Sequence, residues 1–135
     1  MDNVVEVRDA SGALLAYKIG TNLPDGLKPY SKEADFIQVL SWGYQSGKKL
    51  QSHIHLPSPR VASHTQEAIV VLSGRVKADV FDRNRDILAQ LILQAGDCMV
   101  FLDGGHGYEI LNDNTHVLEI KNGPYPGLEA DKEKF

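Results

Sequence analysis

Between Glu67 and Lys121, short apolar runs and turn clusters alternate without a break, and this rhythm limits the chain to few folds. Glu67 to Ser73 stops at Gly74, and Arg75 to Asp82 stops at Arg83-Asn84-Arg85-Asp86. Ile87 to Leu93 stops at Ala95-Gly96-Asp97, and Cys98 to Leu102 stops at Asp103-Gly104-Gly105. Each run is short, rich in branched residues and bounded by turn formers, as strands are. In Arg75 to Asp82 the period is two: Val76, Ala78 and Val80 share one face, and Arg75, Lys77 and Asp79 the other. Ile87 to Gln94, apolar on both sides, also fits a short helix, but its β-rich neighbours favour a strand. Tyr108–Leu111 and His116–Lys121 read as a hairpin across Asn112-Asp113-Asn114. Many short strands with Gly-rich turns and almost no helical period predict an all-β sandwich or barrel of the jelly-roll type.

Upstream, Val4 to Ile19 reads as a hairpin turning at Asp9-Ala10-Ser11-Gly12, Gly20 to Ala34 as a surface connection, and Phe36 to Tyr44 as a strand. Downstream, Pro124 and Pro126 prevent regular pairing in Gly123 to Gly127, which predicts a short irregular tail. With 135 residues the chain suits one domain: 1–35 hairpin and connection, 36–121 barrel, 122–135 tail. A net charge of −4 leaves no basic footprint for nucleic acid. The single cysteine, Cys98, forms no internal disulfide and reads as a small buried hydrophobe. With no signal peptide and no membrane-length apolar run, a cytoplasmic protein is expected.

The chemistry concentrates between Gly47 and Gly74. If Leu50 to Leu56 is extended, His53 and His55 share a face. Glu67 alternates with Ile69 and Val71, so its carboxylate points into an apolar interior, where a charge requires a metal or a buried cation. Two imidazoles and a carboxylate on neighbouring strands suggest a metal site that lacks a third histidine. The intervening loop carries Arg60, whose planar fork suits an anionic substrate group, and His64, read as a loop residue. Gln66 is expected to face outward. Gln38 is a candidate ligand contact on a strand face shared with Phe36, Leu40 and Trp42.

The spacing Gly47, His53, His55, Glu67, Gly74 resembles the first motif of the cupin family. It departs in one respect: eleven residues separate His55 from Glu67, where the family has three or four. The second motif begins at Gly96 and keeps Gly104 in register. Leu102 stands in place of its proline, His106 comes one residue early, and Ile110 sits near its asparagine. The resemblance covers Phe36 to Lys121 and implies a single cupin (jelly-roll) β-barrel. It implies one divalent transition metal ion (iron, nickel, zinc, manganese or copper) held by His53, His55, Glu67 and His106. Strand alternation from His106 turns Tyr108 and Ile110 inward and Glu109 outward. Tyr108, Glu109 and Lys121 are the proton-transfer candidates, and Tyr108 is also a substrate contact. The resemblance suggests a metalloenzyme that oxygenates or isomerises a small polar, sugar-like or carboxylate-bearing molecule. The alternative is a non-catalytic cupin that binds a metal and a small ligand as a sensor or carrier. A homodimer is expected from the behaviour of small cupins and from the two apolar faces of Ile87 to Leu93.

Overall fold

In the computed structural model, which describes residues 3–135, the chain forms ten strands and one helical turn. The N-terminal hairpin is present: β1 (Val4–Arg8) pairs antiparallel with β2 (Leu14–Ile19). Its turn is held by Asp9, whose carboxylate accepts hydrogen bonds from the backbone N–H groups of Ser11 (2.9 Å) and Ala13 (3.0 Å). Next come β3 (Gly26–Pro29) and β4 (Leu40–Gly43), which pair with each other alone. The stretch expected to be surface connection thus contributes a strand. The strand expected over Phe36 to Tyr44 shrinks to its second half, because the N–H groups of Phe36 and Ile37 donate to the Gln66 side chain instead of to a ladder.

The turn rhythm of the second half yields β5 (Glu67–Ser73), β6 (Arg75–Phe81), β7 (Ile87–Gln94), β8 (Cys98–Phe101), β9 (Gly105–Ile110) and β10 (His116–Lys121). Two larger antiparallel sheets result, a five-stranded one ordered β1-β2-β8-β5-β10 and a three-stranded one ordered β7-β6-β9. They pack face to face. Val7, Ala16, Ile69, Val71, Met99 and Phe101 of the first meet Val76, Ala78, Val80 and Leu93 of the second in one buried cluster. The alternation read for Arg75 to Asp82 supplies that face. None of the three sheets closes into a barrel.

The hairpin expected between Tyr108–Leu111 and His116–Lys121 does not form. β9 pairs with β6, matching Ile110, Tyr108 and His106 to Val76, Ala78 and Val80, while β10 pairs with β5 in the other sheet. The link between them is a crossing from sheet to sheet, clamped at the β5–β6 corner. There Gly74 has φ +79°, and a Cβ on it would lie 2.7 Å from Thr115 Cα. Only glycine fits both the backbone and the space.

After β10 the tail runs to a single helical turn, α1 (Leu128–Asp131), that buries no residue of its own. It lies against the main body through Phe135, whose ring meets Phe81 edge-on at 5.1 Å. Among the described residues no helix is long and apolar enough to cross a membrane.

Candidate functional site

One end of the sandwich opens into a cavity of about 710 Å³. Its floor is Glu67, the first residue of β5. The strand period that buries Ile69 and Val71 turns Glu67 the same way, and only 9% of its side chain remains accessible. The carboxylate accepts a hydrogen bond from His106 Nε2 on β9, across the sandwich. His106 is fixed from behind by Phe101, whose ring stacks on the imidazole with centroids 4.1 Å apart and planes 22° apart. Tyr108, two residues on and therefore on the same face, lies 5.5 Å from it.

A second carboxyl joins from β10. There Val117, Glu119 and Lys121 share the inward face, opposite Val71, Ile69 and Glu67. The Glu119 carboxyl hydrogen-bonds to Glu67, and Lys121 Nζ lies 3.6 Å from Glu119 and 3.8 Å from Asp131 of α1. Thr65 donates to the same Asp131 carboxylate. Burial works against the charge on Glu67, yet the hydrogen bonds from His106 and Glu119, with the charges of His106 and Lys121, hold it well below the usual carboxylate range. The hydrogen bond to Glu67, then burial, pushes Glu119 the other way. Burial, reinforced by the Glu67 and Glu119 charges, raises the Tyr108 phenol far above its ordinary range. Tyr108 is thus a neutral hydrogen-bond donor. Chemically the cavity offers an imidazole backed by a carboxylate, a phenol that keeps its proton, and a lining of mixed charge, with Lys121, Lys132 and Lys134 among Asp79, Asp103, Asp131 and Glu133.

The remaining expected residues fall elsewhere. His53 and His55 sit on an irregular segment between β4 and β5, their rings exposed and 5.0 Å apart. The extended strand expected over Leu50 to Leu56 is not formed, since no neighbouring strand offers it a ladder. Arg60, on the same segment, donates to Ser58 O at 3.4 Å. Gln38 spends its amide on the turn before it, donating to Lys32 O (2.9 Å) and Asp35 O (2.8 Å), and borders a separate apolar groove of about 400 Å³. Glu109 points outward, paired with Lys77 at 3.0 Å. His64 is anchored where a loose loop was expected: its Nε2 donates to Leu102 O (2.9 Å) and its ring meets Phe36 edge-on. Gln66 is buried where an outward position was expected, because its Oε1 collects the N–H groups of Phe36 and Ile37. Burial of Cys98 raises its thiol to about 11, as suits an inert small hydrophobe.

For a metal ion, Glu67 and His106 are two converging donors. Among the described residues no three His, Cys, Asp or Glu side chains gather as a ligand set. As folded in this chain alone, the residues therefore fall short of the four-ligand site. Glu119 was missed by sequence reasoning, although a two-residue period along β10 places it on the same face as Lys121. Comparison of the chain with models of protein families, with curated proteins and with solved structures finds no match.

Proposed function

We propose that this protein is a small metal-binding cupin whose cavity receives one small polar molecule, and that it is an enzyme of the oxygenating or isomerising kind. The observation that carries the reading is a buried carboxylate, Glu67, held on an imidazole, His106, at the floor of a cavity between two packed sheets. A carboxylate placed there against its own burial cost, in a cavity and beside an imidazole, marks a candidate site. The jelly-roll barrel belongs to the same proposal: the two sheets would be the halves of such a barrel, and His53 and His55 would complete the ligand set once the segment that carries them reaches the cavity. When bound, a divalent ion would polarise a substrate oxygen or activate dioxygen. The chain's own residues bind and orient. His106 and Glu67 would hold the ion, and Tyr108 donates a hydrogen bond to a substrate oxygen. The mixed charge of the lining, with Lys121 between Glu119 and Asp131, suits a polar substrate.

Elemental analysis of the untagged protein, beside His106→Ala and His53→Ala, tests the metal. Near-stoichiometric metal that both substitutions abolish supports the reading, and no metal after reloading with each ion sinks it. Iron directs the substrate screen to dioxygen uptake, whereas zinc, manganese or nickel directs it to sugars and enolisable acids. Retained metal with ligand binding but no turnover across both screens supports the carrier.

A further inference from the structure

The cavity has a telling outline along β9. Six consecutive residues, Asp103 to Tyr108, line it. Asp79 and Phe81, on the outward face of β6, line it together with His106 and Tyr108, on the inward face of β9, so the cavity takes in both faces of this sheet and the β9 backbone edge between them. Among the described residues that edge has no partner strand, because β9 pairs with β6 on one side only. An open backbone edge inside a groove is a place for an extended chain to add.

The complement lies on the same molecule. From Gly47 to Ser63 the only hydrogen bonds made by the described backbone stay within the segment or reach Gln45 beside it. Ile54, Leu56 and Val61 are 88%, 80% and 89% exposed. Leu50 to Leu56 also has the strand period, with Leu50, Ile54 and Leu56 on one side and His53 and His55 on the other. Within its own chain this arm stands clear of β9, fixed at one end by β4 and at the other by His64 on Leu102 O. Leu40 and Trp42 on β4, and Leu72, Leu118 and Ile120 on the outer face of β5 and β10, leave further apolar surface exposed.

We propose that Leu50–Leu56 of a second copy of this chain pairs along the open edge of β9, so that two copies exchange arms and each completes the other's cavity. The exchange brings His53 and His55 of one copy to the cavity that holds Glu67 and His106 of the other. The pairing stands without the metal reading, and only what the histidines bind there rests on it.

Two measurements, both made with a chelator present, separate the two. Sedimentation should show a dimer of the full chain that an Ile54→Pro, His55→Pro double variant weakens about tenfold or more, because the two prolines remove ladder donors on both sides of the strand. Zero-length carbodiimide coupling of mixed ordinary and nitrogen-15 chains should join Lys48 or Lys49 to Glu109 in mixed-isotope pairs. A monomer, a dimer indifferent to the prolines, or couplings confined to same-isotope pairs overturns the exchange. Mixed couplings in a protein that never retains metal would keep the exchange and remove the metal reading.

Discussion

Glu67 with His106, and His53 with His55, are two pairs of the residue types that make metal and acid–base sites, yet the fold treats them oppositely. The first pair lies on regular strands of two packed sheets, with Phe101 stacked behind the imidazole and a second carboxyl beside the first. The second pair lies on a segment with no ladder and open to solvent. Sequence proximity gave His53 and His55 a shared environment but no support. The Glu67–His106 pair, 39 residues apart, is set by the register of two sheets. Preorganisation comes from the packing behind a side chain and not from the spacing of the motif.

The largest effect expected from breaking this contrast is at Glu67. Glu67→Ala leaves the partly exposed His106 N–H and Glu119 carboxyl without their partner at the cavity floor and removes a buried side chain, and should cost about 2–3 kcal/mol of stability in urea titration. A loss under about 1 kcal/mol would mean that the pair contributes nothing to the packed half. Next comes a pair of glycines with similar backbone and different surroundings. Gly74 and Gly47 have φ of +79° and +92°, but an added Cβ at Gly74 collides with Thr115 while one at Gly47 meets nothing within 4 Å. Gly74→Ala should therefore destabilise by about 2–3 kcal/mol and Gly47→Ala by about 1 kcal/mol, from backbone strain alone. Equal losses would indicate that the sheet crossing at Thr115 is loose.

What was legible in the sequence follows the same division. Wherever the two-residue period ran long enough, as in Glu67 to Val71 and Val76 to Val80, it gave both the strand and the face, and hence the inward Glu67. It failed where partners are set by tertiary pairing. Asn112-Asp113-Asn114 has hairpin composition, but β9 and β10 find better apolar matches in β6 and β5, and the same residues serve to cross between sheets. Gln66 was misplaced because alternation gives a side and not what covers that side; the Phe36–Ile37 backbone buries it. Glu119 went unread although its period was visible, since its role depends on the diagonal contact to Glu67 across β5 and β10.

Acid is the next probe. The folded Glu67 carboxyl titrates below its ordinary value of 4.5, so its contribution is fully present above that value and is lost as pH falls through the depressed one. Glu119 is shifted the opposite way, so its contribution is present below the ordinary value and lost as pH rises through the raised one. Glu67 is the more buried of the two, and the net should be a loss on the order of 1–2 kcal/mol between about pH 5 and pH 2. Glu67→Gln should flatten that slope in urea midpoints taken across the range. An unchanged slope would place the acid sensitivity in other carboxylates.

The smallest stability effect is expected at the other pair, and it is the most informative about function. His53→Ala with His55→Ala removes two imidazoles that are exposed and support no packing in the single chain, so unfolding of the metal-free monomer in urea should change by less than about 0.5 kcal/mol. If the pair is a ligand half waiting for its cavity, the same double variant should lose bound metal entirely while keeping its fold. Stability and metal content would then separate cleanly, with Glu67→Ala losing both and the histidine variant only the second. Should the double variant keep its metal, the ion is held by Glu67 and His106 with other partners, and the arm's histidines have no part in the site. Should it instead unfold, those imidazoles are buried in the protein as it exists in solution, against the exposed segment of the single chain.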